Sequence, residues 1–541
     1  LEGRPGEDDA PGAAGLTDLV GLALRRNPRR AYLLVSRVIG KHVPCDPRLA
    51  RAAGLVLGHR VGELVRASAE HPVPDHPAPT LPATAITDPR AAARARDAAV
   101  GHPSLRVPSI VLGCAENGAA LGQFVGEALD ADHVVASTRR DVPGAAVLGS
   151  FEEQHSHAGR HLLVPDDPSR WEPELPLVLV DDEMTTGRTA AATLRLLHHH
   201  LPRPRYVVAV LVDVRGPGDD AVERAAAELG VRVDVVALAT GTLRVPDDAR
   251  ERAAALVARH PCPEPTAWGR GRLTETHLHL AGAPEGARHG VDRADRAALE
   301  AALPAAVGAL AAALGPDAGR VLVLGTEELV HLPVRLAEGL AGDGRDVVVA
   351  ATTRSPAVAV DVPGCALRSA LPFRAHDAGL GTARERYAYD LGQTGRHDAI
   401  VLVVDSDAHT SALHGPDGLV PRLRALAPRV VVAIVPTRGP RRRATVVHAV
   451  PARRGPRFGT YARDEVAWLL EDLSAVPLEV GHERREREVR EGRAHYSEAL
   501  PEEHVPSPVH EEHFHRALAR SATTVARLVG HVTDRLLATV G

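Results

Sequence analysis

Apolar positions along the chain fall into two patterns. Short, nearly continuous apolar runs predict strands buried on both faces, and longer stretches with apolar residues at i, i+3 and i+4 predict amphipathic helices. The two alternate from Val107 onward. The run V-P-S-I-V-L-G-C-A-E-N-G-A-A-L-G reads as a strand, a turn marked by Gly113 and Gly118, and a helix. Strands are predicted next at His133 to Ser137, Leu177 to Val180, Arg205 to Asp213 and Val231 to Leu238, with helices after Thr189 and at Ala221 to Leu229. This alternation predicts an α/β fold, a doubly wound parallel-sheet domain over residues 91–245.

A second α/β unit is expected over 291–455, with a helix at Asp292 to Leu314 and strands within Gly319 to Pro333, Val347 to Pro356, Ala399 to Val404 and Val430 to Pro436. Residues 246–290, interrupted by Pro and Gly, read as a linker, with the histidines of T-H-L-H-L (Thr276 to Leu280) at the surface. Before the core, residues 1–15 are rich in Gly, Pro, Asp and Ala and are expected to be disordered. Residues 16–90 read as an N-terminal helical region with a second helix from Asp46 and a Pro-rich linker from His71 to Pro89. Within it, Arg25 to Pro44 joins basic residues to an apolar stripe and reads as a basic helix. Its charged face is either simply solvated or brings Arg29, Arg37, Lys41 and His42 to the phosphates of a ligand. Residues 456–541 form a charged, helical tail.

Candidate chemistry concentrates in L-V-L-V-D-D-E-M-T-T-G-R-T, Leu177 to Thr189. A strand here delivers two carboxylates at its end, and a Thr/Gly turn opens a helix whose N-terminal N–H groups favour an anion. Thr185, Thr186, Gly187, Arg188 and Thr189 would cradle a phosphate, with Gly187 permitting close approach and the threonines adding hydroxyl donors. Asp181 and Asp182 suit the two hydroxyls of a ribose, so the stretch describes a ribose 5-phosphate site. An ordinary strand–helix turn with Asp caps is the plain alternative.

Composition narrows the picture only a little. The 541 residues are 44% hydrophobic but only 3% aromatic, so Val, Leu and Ala must fill cores, and three or four domains are expected at about this length. The net charge of −5, with a pI near 6.7, does not suggest nucleic-acid binding. Lys41 is the single lysine, leaving arginine to bind anions. Four scattered cysteines without C-x-x-C spacing argue against structural zinc and for a reducing compartment, by default the cytoplasm. No long uncharged apolar run or signal segment stands out, so no membrane partner is expected. The start at Leu1 rather than Met reads as a trimmed chain.

The stretch Leu177 to Thr189 resembles the phosphoribosyl pyrophosphate (PRPP) motif of type I phosphoribosyltransferases: a hydrophobic run, two acids, three variable residues, then T-G-x-T. The resemblance implies transfer of 5-phosphoribosyl from PRPP to a nucleobase-like acceptor, with Mg2+ as cofactor held by Asp181 and Asp182, and a homodimer. It places Cys114, Ala115, Glu116 and Asn117 in the loop whose backbone holds pyrophosphate. There Glu116 is better suited to Mg2+, a water or the acceptor than to phosphate. It also implies a closing hood, for which Arg139, Arg140, His155, His157 and Arg160 are the catalytic candidates. His155, His157 and His161 could instead hold a metal. Thr185 stands where purine-salvage enzymes carry an Asp, which favours an orotate-like or unusual acceptor.

T-R-S-P at Thr353 to Pro356 resembles the signature of the TRSP domain found C-terminal to one branch of these enzymes. That branch also shares counterparts of the N-P-R-R, A-E-N and H-S-H segments seen here. This implies a role in tellurium-resistance or stress operons, in making a nucleoside-like compound. The tail from residue 457 resembles the start of StiP-type proteins, labelled cysteine proteases, and implies a fused or associated StiP-like domain beyond Gly541; the tail itself contains no cysteine. Other readings stay open. The chain could bind PRPP as a sensor or scaffold without turnover, Cys114 before a helix could be a nucleophile, and Arg354 with Ser355 could bind an anion. Asp405 and Asp407 in D-S-D-A-H lack the final Thr of a phosphatase D-x-D-x-T and read as a strand-end turn.

Overall fold

The computed structural model describes residues 1–439 apart from 5–10, 26–30, 69–76, 104–105, 143–144, 153–159, 169–170, 261, 263–264, 266, 268 and 378–384. The charged tail at 456–541 therefore lies outside the described residues. Residues 1–441 make one compact unit built on two parallel sheets.

The first sheet has seven strands in the order Glu2–Arg4, Arg232–Thr242, Arg205–Asp213, Leu177–Met184, Ile110–Gly113, His133–Ala136, Val291–Asp292. The five inner strands are parallel and the two edge strands antiparallel. Both faces are covered, which explains the continuous apolar runs. Along the central strand, Val178 and Val180 enter the core on one face, and Leu177 and Leu179 the core on the other. Chain order reverses between Ile110–Gly113 and Leu177–Met184, and in a doubly wound sheet the carboxyl ends at such a switch point are where ligands bind.

The second sheet has five parallel strands in the order Arg272–His277, Arg429–Val435, Ala399–Asp405, Arg320–Gly325, Asp346–Ala351. The sheets share a core: Val321 and Val323 belong to the same apolar cluster as Val178 and Val180, together with Leu49 and Val56 of the helix Pro47–Ala67. The helix Arg293–Leu314 starts with a capping box, Asp292 and Asp295 each accepting from the other's backbone N–H. Length and composition alone would let this helix cross a membrane. Here Leu299, Leu303, Ala306, Leu310 and Leu314 are buried in the shared core.

Three stretches depart from expectation. Part of 1–15 is ordered as an edge strand, Glu2–Arg4 pairing with Arg232–Thr242. The stretch 246–290 is more than a connection: it holds the helix Ala249–Arg259 and the strand Arg272–His277, an edge of the second sheet. In the N-terminal region the helices Pro47–Ala67 and Pro89–Val100 form, but the basic helix expected at Arg25 to Pro44 does not. Val20–Arg25 and Tyr32–Ser36 pair as an antiparallel hairpin, and Ala357–Val358 of the second unit adds a third strand. The overlooked signal is Asn27-Pro28, because a proline disfavours the helical conformation at the residue before it.

Candidate active site

The strand Leu177–Met184 carries Asp181 and Asp182 at successive positions, and successive side chains leave opposite faces of a strand. Asp182 lies on the face of Val178 and Val180, towards the helix Asn117–Leu129, where Asn117 Nδ2 donates to its Oδ2 at 2.8 Å. Asp181 accepts from the Asp182 backbone N–H at 3.0 Å. The two acids therefore differ: Asp182 is held by Asn117, while Asp181 lies on the side of the following helix.

That helix, Arg188–His200, begins at Gly187, whose φ of 69° is left-handed; a Cβ there would stand 3.0 Å from Val222 Cγ2. Only glycine takes this conformation without strain, so the T-T-G-R-T string fixes where the helix starts and where its N–H groups point. In the first turn of the helix Asn117–Leu129, a Cβ on Gly118 would lie 2.5 Å from the Val180 carbonyl oxygen. The missing side chain lets the helix Asn117–Leu129 press directly on the motif strand.

Between these ends lies a cleft of about 1140 Å³, counted with its solvent-open space. Its floor is Asp181, Asp182 and the Thr185 to Thr189 cradle; one wall is the Cys114 to Asn117 loop with Arg139 and His161. The hairpin brings Arg25, Leu33 and Leu34, and the second unit brings Thr353 and Ser355. Arg139 donates to His161 Nε2, at 3.1 Å from Nη2. A guanidinium can only donate, so the neutral ring carries its proton on Nδ1, which lies 3.0 Å from Ser137 Oγ.

Several predicted contacts are directed elsewhere. The Ala115 N–H donates to Ser137 Oγ at 2.9 Å rather than facing the cradle. Glu116 is buried: its Oε2 lies 3.2 Å from Lys41 Nζ, its Oε1 lies 3.2 Å from Arg354 Nη1, and Thr353 Oγ1 donates to it at 2.7 Å. Burial alone would raise its carboxyl, but the Lys41 and Arg354 charges prevail and hold it well below the usual carboxylate range. Lys41 does not reach the cradle. Its ammonium, 1% exposed, also donates to the Thr352 carbonyl at 2.6 Å and to the Glu327 carbonyl. Burial pushes its pKa down, and Glu116 opposes that shift.

Arg140, expected in the hood, is buried against Asp377, at 3.2 Å, and Asp405 of the second unit. Arg354 binds protein carboxylates rather than a ligand anion, pairing with Glu116, Glu328 at 3.2 Å and Asp377 at 2.8 Å. Asp405 ends the strand Ala399–Asp405 as a partner of Arg140. His155 and His157 lie outside the described residues, as does Arg29. Cys114 is 3% exposed, and its N–H donates to the Val180 carbonyl. Ser137 is a site residue that the sequence reading did not single out; the available signal was its place at the end of a strand-like run.

Three family models match separate parts of the chain. Residues 19–242 match the family model for a phosphoribosyl transferase. Residues 285–423 match the model for the TRSP domain that lies C-terminal to that transferase domain. Residues 459–541 match the model for a tellurite-like stress resistance cysteine protease, StiP. Similar solved structures include the adenine phosphoribosyltransferase of Rhodothermus marinus, 23% identical over 24% of this chain and 69% of that one, with a TM-score of 0.18. The Giardia lamblia enzyme complexed with 9-deazaadenine is 19% identical over 28% and 81%, with a TM-score of 0.19. The Trypanosoma brucei enzyme, in complex with AMP, pyrophosphate and ribose-5-phosphate, is 14% identical over 27% and 68%, with a TM-score of 0.20. No curated protein matches the chain.

Proposed function

We propose that the protein transfers 5-phosphoribosyl from PRPP to a nucleobase-like acceptor at the switch point of the first sheet. The observation that carries this reading is the convergence, in one cleft, of the paired acids, the helix opened by Gly187 and the Cys114 to Asn117 loop. The 5-phosphate would sit on the Thr185 to Thr189 N–H groups and hydroxyls. Asp181 and Asp182 would hold the ribose hydroxyls. The bond from the anomeric carbon to pyrophosphate breaks, a bond to an acceptor nitrogen forms from the opposite face, and the acceptor releases one proton. Positive charge develops on the ribose in this step, and the two carboxylates favour it.

Carboxylate oxygens at an open strand end are the hard donors that Mg2+ accepts alongside phosphate and water, so Asp181 and Asp182 fit that ion. When bound, Mg2+ supplies neutralisation of the leaving pyrophosphate. Arg139, steadied by His161, faces the same side of the cleft, and His155 and His157 are the hood residues of this reading. The hairpin residues Leu33 and Leu34 offer an apolar surface to a flat acceptor, with Arg25 beside them. A nucleoside-like product in a stress-associated cytoplasmic pathway, and a homodimer, complete the proposal.

Release of pyrophosphate from PRPP should depend on Mg2+ and on one acceptor class among pyrimidines, purines and amines. PRPP binding without release for every acceptor would favour the sensor reading. Absence of binding would remove the proposal.

A further inference from the structure

Three side chains from separate segments converge on the second sheet, away from the phosphoribosyl cleft. Glu275 lies near the carboxyl end of the edge strand Arg272–His277, His409 in the turn after Ala399–Asp405, and His414 at the end of the short helix Ser411–His414. One ligand atom from each falls within 4.8 Å of the others. The two Nε2 atoms are 3.0 Å apart, and Glu275 oxygens lie 3.9 Å from His409 Nε2 and 3.7 Å from His414 Nε2. A tetrahedral ion with bonds of about 2.0–2.1 Å spaces its ligand atoms by about 3.3 Å, and the three separations bracket that length.

A hydrogen bond between the imidazoles would explain the shortest separation alone. The carboxylate stands too far from both rings to hydrogen-bond to either, yet close enough to share an ion with them. We propose that Glu275, His409 and His414 bind a divalent cation of the Zn2+ class. Two imidazoles and one carboxylate leave a tetrahedral ion one ligand short, which is the composition of an open site rather than a structural one. Imidazole donors separate it from the Mg2+ expected at Asp181 and Asp182. The position also has the general logic of parallel sheets: the ligands come from the carboxyl side of the edge strand Arg272–His277 and from the segment following Ala399–Asp405, separated in the sheet by Arg429–Val435.

The test is a calorimetric titration of the chelator-stripped full chain with Zn2+ in excess Mg2+. A parallel Co2+ titration, read by visible absorption, reports coordination geometry. The run His198 to His200 ends the helix Arg188–His200 and is itself a source of weak imidazole binding, so the titration uses a background with all three changed to Gln. One equivalent should bind in that background. Changing His409→Gln and His414→Gln together should weaken it by more than the roughly 10–100-fold that losing a merely supporting group costs. Glu275→Gln alters an exposed side chain, so it decides the matter if the double histidine variant folds poorly; at least a roughly tenfold loss is expected. Unchanged affinity in Glu275→Gln or in a folded histidine double variant, or no binding in the background, would overturn the site.

Discussion

The strings T-T-G-R-T at Thr185 to Thr189 and T-T-R-S at Thr352 to Ser355 are near relatives in sequence, and each follows a buried parallel strand. Their fates differ. Gly187 turns the first into a helix start, and its polar groups line an open cleft. In the second, Thr352, Thr353 and Arg354 are buried, and Arg354 is shared among Glu116, Glu328 and Asp377. A polar loop at a strand end thus becomes a binding site only where the fold leaves its groups for a ligand; here the second loop reaches the cleft through Thr353 and Ser355 but spends its Arg354 on bracing a wall of the first site.

The largest effect should come from breaking that brace. Arg354→Met leaves three buried carboxylates without their common cation, at a cost of about 3–5 kcal/mol, visible in a urea melt. Arg354→Lys should recover only part of it, since an ammonium cannot reproduce a guanidinium fork. An unchanged melt for Arg354→Met would break the comparison.

His42, beside Lys41, sharpens it through pH. Burial first and the Lys41 charge second push the imidazole down to about 4. The unfolded chain protonates this group below an ordinary pKa of about 6.5, whereas the folded chain keeps it neutral. Its contribution is full above about pH 6.5 and is lost as pH falls towards about 4, by up to about 3 kcal/mol. His331 is also held well below its ordinary value, so only the part of the slope removed by His42→Gln in a pH series of melts belongs to His42.

On the open side, Asp181→Asn with Asp182→Asn should lower turnover by roughly 100-fold. Stability should move by about 1 kcal/mol at most, since Asp182 is buried and bonded to Asn117, well short of the loss in Arg354→Met. Gly187→Ala forces a left-handed alanine and should cost about 1–2 kcal/mol, measured as a lower melting midpoint together with weaker PRPP binding.

Much of the first sheet was legible because its signals are local. Four apolar residues, two acids and a glycine-marked helix start lie within thirteen consecutive positions, and the cleft floor follows from them. The brace was not legible: Glu116 and Arg354 are 238 positions apart, and nothing near Glu116 shows that its partners come from another sheet. Lys41 was misread for the same reason, since a lone cation beside a proposed phosphate site suggests the phosphate until its buried partners Glu116, Thr352 and Glu327 are seen. The hairpin was lost to composition, because arginines between apolar runs imitate an amphipathic helix when Asn27-Pro28 is overlooked.

The most direct test is calorimetric titration of PRPP with Mg2+ into three proteins: the wild type, Asp181→Asn with Asp182→Asn, and Asp407→Asn, whose exposed carboxylate follows a second-sheet strand. One equivalent should bind to the wild type and to Asp407→Asn alike, and at least roughly tenfold more weakly to the acid-pair variant. Equal binding by the acid-pair variant, or loss of binding in Asp407→Asn, would contradict the assignment of the first sheet's strand ends as the phosphoribosyl site.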